Sequence, residues 1–170
     1  MNRKSFLQSV VAGIAVAASA QNAPGGWSSD PAQNLAIADR PQAQSYPLMA
    51  PTADGGCYIA WFDDAAGGFD VCLQRLDAAG NELWPHNGIR VADRNYTSTE
   101  HYGLDVDADG NALLSFREVR GGSDQMVAYK VGPDGEMLWG DDGVQLTTGY
   151  TFKTSPKIAA TTDGHVVVAW

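Results

Sequence analysis

Two cysteines, three histidines and eleven basic residues in a chain of 170 leave little of the chemistry that short motifs announce. The chain has no Gly-x-Ser-x-Gly, no His-Glu-x-x-His and no phosphate-cradling glycine loop ahead of a helix, so no hydrolase elbow, zinc protease or nucleotide site is signalled. His86, His101 and His165 stand apart, without metal-ligand spacing, and read as turn or surface residues. After residue 20 no i, i+3, i+4 apolar stripe occurs, which excludes amphipathic helices as the building material. Twenty acidic residues outnumber the basic ones, for a formal charge of −9. Such a surface repels phosphate backbones and anionic membranes, so nucleic acid is excluded as a partner, and a basic or neutral partner or a divalent cation suits it better.

What is present begins with an export signal. Arg3 and Lys4 precede an apolar run, Val10 to Ala18, of under twenty residues, and Ala18-Ser19-Ala20 has the small-residue cleavage pattern. That combination predicts a signal peptide over 1–20, cleaved before Gln21, and no membrane insertion afterwards. The start also looks like a twin-arginine signal, but Lys4 stands where the second arginine belongs, which favours ordinary Sec export. The expected location is secreted or periplasmic. The mature chain keeps nine basic against twenty acidic residues, a formal charge of −11.

The rest is periodic. DGGCYIAWF (54–62), DGNALLSFR (109–117) and DGHVVVAW (163–170) each open on Asp-Gly and run through an apolar strand to Trp61, Phe116 or Trp170. A second block, 75–93, returns at 130–148 with Gly80 and Gly135, Trp84 and Trp139, and Gly88 and Gly143 each 55 apart. Within one unit the apolar residues alternate, and Gly and Asx clusters punctuate them, which is strand and hairpin patterning. Each unit is expected to hold four short antiparallel strands, near 46–51, 56–62, 69–77 and 80–92. Four-stranded units at this period predict an all-β fold of β-propeller blades. The boundaries that follow are an N-terminal closing strand of a partial blade within 21–40, blade 1 over 41–94, blade 2 over 95–149 and a truncated blade 3 over 150–170. The closing strand is placed by aligning 31–40 on 85–94. Two complete blades with partial blades at both ends make an incomplete ring, so the chain is expected to be the start of a longer protein. Its open blade edge is expected to self-associate.

The run Gly55-Gly-x-x-x-Ala-Trp61, then Asp70-Val-x-x-Gln74-Arg75-Leu-Asp77-x-x-Gly80-x-x-Leu83-Trp84-x-x-x-Gly88, resembles the repeats of large secreted bacterial proteins of propeller type. The resemblance covers 27–170 and implies architecture more than activity, because this fold hosts enzymes, binders and scaffolds. The stretch Asp77 to Trp84 also resembles, faintly, the Asp-box and tryptophan-docking hairpins, which report fold and not catalysis.

Candidate sites are few. Asp105, Asp107 and Asp109 open a DxDxDG calcium-type loop, but Phe116 stands where the bidentate glutamate belongs, so a hairpin turn is the favoured reading and Ca2+ the candidate ligand. Cys57 and Cys72 lie on consecutive strands near mirror-related positions, compatible with a cross-strand disulfide in an oxidising compartment or with two buried thiols. Loops on one face of a propeller, 93–102, 117–123 and 147–155, form the expected ligand surface, with Arg94, Tyr96, Glu100, His101, Tyr102, Arg117 and Glu118 as binding candidates and Tyr150 and Phe152 nearby. No catalytic residue and no cofactor are predicted. The reading is a non-catalytic binding or scaffolding module for protein or glycan. The alternative is the N-terminal part of a propeller-fold glycan-acting hydrolase or lyase whose catalytic residues lie beyond residue 170.

Overall fold

The computed structural model describes residues 27–94 and 98–170. The expected leader and its cleavage site lie outside them, as does Tyr96. The described chain is all-β: β1 (Gln44–Pro51), β2 (Cys57–Asp63), β3 (Asp70–Leu76), β4 (Ile89–Ala92), β5 (Gly103–Val106), β6 (Ala112–Arg120), β7 (Ser123–Val131), β8 (Val144–Gln145), β9 (Lys157–Ala160) and β10 (Val166–Ala169). β1 to β4 and β5 to β8 form two antiparallel four-stranded sheets in sequential order, and β9 with β10 form a third, two-stranded one. No helix occurs among the described residues.

Local chemistry explains the meander. Five turns share one hydrogen-bond pattern, in which Thr52 N–H donates to Gly56 O and Gly55 N–H donates back to Thr52 O; Asp77–Asn81, Asp107–Asn111, Gly132–Glu136 and Thr161–His165 repeat it. The fourth residue of each is a glycine at φ between 81° and 88°, a left-handed conformation that costs a side chain about 1–2 kcal/mol.

Alternation then decides the packing. Tyr58, Ala60 and Phe62 leave β2 on one face and meet Ala112, Leu114 and Phe116 of β6, so the first two sheets stack on a common core with Leu73, Tyr102 and Tyr129. Leu113 and Ala128 leave the other face of the second sheet and pack on Ile158, Val166 and Val168 of the third. Each large side chain fully withdrawn from water contributes about 1.5–3 kcal/mol, so the middle sheet, covered on both faces, is the most firmly held.

Two features differ from the expected strands. The fourth strand was expected over 80–92 but is regular only over Ile89–Ala92. Pro85 has no N–H, and Asn87 and Gly88 sit at φ of 71° and 63°, so the chain turns where a strand would run. The Gln74 side chain covers the gap by donating to Pro85 O at 3.0 Å, and a Cβ on Gly88 would lie 2.3 Å from Leu73 O. The N-terminal closing strand does not form among the described residues either, because residues 27–40 have no neighbouring strand to hydrogen-bond. They cross the outer face of the first sheet instead, where Trp27, Leu35 and Ile37 line a cleft with Ile59 and Leu76.

That segment carries an unexpected correspondence. The Trp27 indole donates to Ala78 O at 3.0 Å and its ring lies against Gly80, while the Trp84 indole donates to Pro133 O at 3.1 Å and lies against Gly135. The acceptors are 55 residues apart, as are the glycines. One tryptophan thus ties each four-stranded sheet, at its third hairpin, to the segment that precedes it.

Candidate functional site

The first strands of the three sheets lie in a row, β1 beside β5 and β5 beside β9, with their leading ends at the loop end of the stack. Tyr46, His101 and Ser155 occupy corresponding places there, 55 and 54 residues apart. Tyr46 and Ser155 are held at φ of 54° and 53°, left-handed for residues with a full side chain, and each precedes a proline. Strain of this kind costs about 1–3 kcal/mol and persists only where the surroundings enforce it. At Tyr46 the enforcement is visible. The pairing of β1 with β2 shifts register between Ser45 and Leu48, and the Tyr102 hydroxyl donates to Tyr46 O at 2.9 Å. The bulge turns the Tyr46 ring outward, 44 % exposed, with the exposed His101 ring edge-on to it at 5.6 Å.

Beside this pair lies a charged cluster built on β6. Arg117, buried, places its Nε 2.9 Å from Glu100 Oε1, in contact as charges although not aligned as a hydrogen bond. Its terminal nitrogen lies 3.4 Å from Asp124 and donates to Lys153 O at 3.3 Å. The Thr154 hydroxyl donates to the other oxygen of Glu100 and lies 3.3 Å from the Ser155 hydroxyl. Phe152, 77 % exposed, covers the Arg117 guanidinium at 5.3 Å from its centroid. Arg117 occupies the position that Phe62 holds one unit earlier, 55 residues away, so a charged network replaces the aromatic packing at this level. The shelf is therefore Tyr46, His101, Thr154, Ser155 and Phe152, with Glu100 and Arg117 largely buried beneath it.

The chain matches no known protein family, no curated protein and no solved structure. What can be read from it comes from the geometry.

The residues expected at the loop surface are distributed over three environments. Glu100, His101 and Arg117 come together at the shelf. Tyr102 lies beneath it, buried, 4.6 Å from the Phe62 ring, and burial pushes its hydroxyl above the ordinary range. Arg94 is fully buried; it donates from Nε to Arg117 O at 2.7 Å, from its terminal nitrogens to Phe69 O at 3.3 Å and Ser98 O at 3.5 Å, and lies 4.1 Å from the Phe62 ring centroid. It joins the first two sheets. Glu118 faces the opposite way from Arg117, because successive strand residues alternate, and binds Arg120 and the Tyr129 hydroxyl in a cleft with Asp93, Asp141 and Asp142.

The acidic run also divides. Asp107 accepts from Asp109 N, Asn111 N and the Asn111 amide and pairs with Lys130 at 2.7 Å. Burial opposes its charge, but the bonds from Lys130 and Asn111 win and hold its carboxyl below the usual range. Asp105 accepts from Ala160 N at 2.8 Å and so ties the second sheet to the third, while Asp109 points to solvent. Among the described residues no three potential ligands gather as a metal group. The cysteines are free and buried. Cys57 pairs with Leu76 and Cys72 with Trp61, so four residues of strand, about 13 Å, separate them along the ladder, too far for the cross-strand disulfide.

Tyr46, Thr154 and Ser155 were not singled out in the sequence. Their signal was the pair Tyr46-Pro47 and Ser155-Pro156, 109 residues apart at corresponding places in the repeat. A second group, Asp63 and Asp70, was not singled out in the sequence either. Both are buried, they pair across β2 and β3, and with Arg40 and Arg90 they line a cleft of about 330 Å3. Asp63 accepts from the Trp61 indole at 3.1 Å and lies 3.5 Å from Arg40, while Asp70 lies 3.3 Å from Arg90. Burial raises the Asp70 carboxyl above the ordinary range against the bond from Arg90.

Proposed function

We propose that the chain is an exported propeller-type repeat protein serving as a non-catalytic binding or scaffolding module for a protein or a glycan, met at the loop end of its stacked sheets. The exposed Tyr46 and His101 pair, with Tyr46 on strained backbone at the row of first strands, carries this reading. The repeated meander with its tryptophan ties supports blades stacked about an axis, with β1, β5 and β9 as the innermost strands. The non-catalytic element rests on Glu100, which is committed to Arg117 and Thr154. Screening the purified chain against immobilised polysaccharides and a peptide library tests it: saturable binding that is weakened by a change at Tyr46 is expected, and saturable binding unaffected by changes along the shelf would overturn the site.

The alternative, part of a glycan-acting hydrolase or lyase, has one observation in its favour, the buried Asp63 and Asp70 pair beside its cleft. Release of reducing ends that disappears in Asp70→Asn would replace the first reading with this one. Export is checked by N-terminal sequencing of secreted material, which should begin at Gln21. Self-association fits the third sheet, where β10 is hydrogen-bonded only to β9 among the described residues and Val167 is exposed. Sedimentation should show oligomers, and a sharp monomer would refute this.

A further inference from the structure

We infer that the Tyr46–His101 shelf takes a neutral carbohydrate, an assignment that rests on the binding-module reading above and names its ligand. A sugar ring presents a C–H face to an aromatic ring and hydroxyl groups around its edge, and the shelf offers both complements within a few residues. Tyr46 supplies the ring, braced edge-on by His101 and from behind by Phe62 at 6.4 Å. Two bracing contacts limit the ring's rotation, so little conformational entropy is lost when a ligand stacks on it. Glu100 Oε2, Thr154 Oγ1 and Ser155 Oγ form a short polar row beside it, the middle hydroxyl already bonded to both neighbours. Thr154 gives its proton to Glu100 and Ser155 gives its proton to Thr154, so the row offers acceptor lone pairs to the hydroxyls of a sugar.

Charge narrows the class. Glu100 lies just beneath the shelf, Arg117 beside it is occupied by Glu100 and Asp124, and the chain as a whole is strongly acidic, so a phosphorylated, sulfated or uronic sugar meets net repulsion. A peptide could add along the free edge of β1, so the peptide array is the arm that separates that partner from a sugar stacked on the Tyr46 ring. The left-handed Tyr46 backbone is strained by about 1–3 kcal/mol, held by the register shift of β1 and the bond from the Tyr102 hydroxyl.

The same strain supplies a test in which the fold is not at risk. Tyr46→Gly deletes the ring and relaxes the backbone, so the variant should fold at least as stably as the parent, while Tyr46→Phe keeps the ring. The probes are soluble neutral polysaccharides (a β-glucan, a xylan and a mannan) in affinity gel electrophoresis, with polygalacturonate as the anionic control and a peptide array in parallel. Retardation by at least one neutral polysaccharide is expected, weakened about tenfold in Tyr46→Gly and within about threefold of the parent in Tyr46→Phe, with polygalacturonate inert. Equal retardation of parent and Tyr46→Gly would overturn the assignment of the shelf. Polygalacturonate binding in preference would overturn the neutral class. Peptide binding that depends on Tyr46, with no polysaccharide bound, would overturn the carbohydrate while leaving the binding module standing, and absence of any Tyr46-dependent ligand would overturn both.

Discussion

Arg94 sits where a ligand-binding residue was expected and yet touches no solvent, so replacing it separates two roles cleanly. Arg94→Met keeps the bulk of the side chain and removes the guanidinium. The bond from Nε to Arg117 O is short and charge-assisted, about 1.5 kcal/mol; the two longer bonds, to Phe69 O and Ser98 O, add about 0.5 kcal/mol each. The guanidinium over Phe62 contributes about 1 kcal/mol more. Desolvation of the charge offsets part of this, and the methionine recovers apolar contact, leaving a net loss of about 3 kcal/mol. That is a large fraction of the roughly 5–15 kcal/mol that holds a domain together. With an m value of about 2 kcal/mol per molar urea, the midpoint should fall by about 1.5 M in a circular dichroism titration, with little change in slope. Arg94→Lys should recover only part of it, since one ammonium cannot serve three separated carbonyls. A midpoint shift of Arg94→Met below about 0.5 M, or a loss of polysaccharide retardation without loss of stability, would refute the structural role assigned to this side chain.

Trp84→Phe should cost about 1 kcal/mol, the value of one hydrogen bond to Pro133 O, and Trp84→Ala about 3–5 kcal/mol from the cavity it leaves; an alanine variant within 1 kcal/mol of the parent in urea would contradict the tie between the sheets. Two thiols should titrate with a disulfide reagent only after denaturation, because both are buried and burial pushes Cys72 up to about 12, and prompt reaction of the native protein at pH 8 would count against this. The Asp70 carboxyl is raised in the folded state by burial, so whatever it contributes is fully present below the carboxyl range of the unfolded chain and lost as pH rises through the folded value. Asp70→Asn should therefore be at least as stable as the parent at pH 7, with the difference fading towards pH 4, and a clear loss of midpoint at pH 7 would show that the bond with Arg90 dominates.

How the sheets alternate and turn was legible because those signals are local. Cys57 to Phe62 announces a strand buried on both faces, and Asp-Gly at 54–55, 109–110 and 163–164 announces a hairpin whose fourth residue must be left-handed. Each needs only its immediate neighbours in the chain, and the 55-residue spacing repeats the message. The fourth strand was overextended at its start, because 80–92 took in the turn at Asn87 and Gly88, whose positive φ delays the regular strand until Ile89.

The candidate site was only half legible, because burial is a property of the stack. Arg94, Arg117 and Glu118 look alike as polar residues near loops, but one is sealed between two sheets, one lies beneath the shelf and one faces away from it. Alternation along β6 separates the last two, and the closeness of Phe62 decides the first. Register likewise settled the cysteines, since a shift of four residues along one ladder is invisible in spacing alone. By itself, then, the order of residues determined the strands, the turns and the unit that recurs, all governed by steric preferences within a few residues. Only the packing of sheet on sheet decided which charged groups are sealed in, which thiols stay apart and which tyrosine is turned outward, because those outcomes depend on atoms some fifty residues away along the chain.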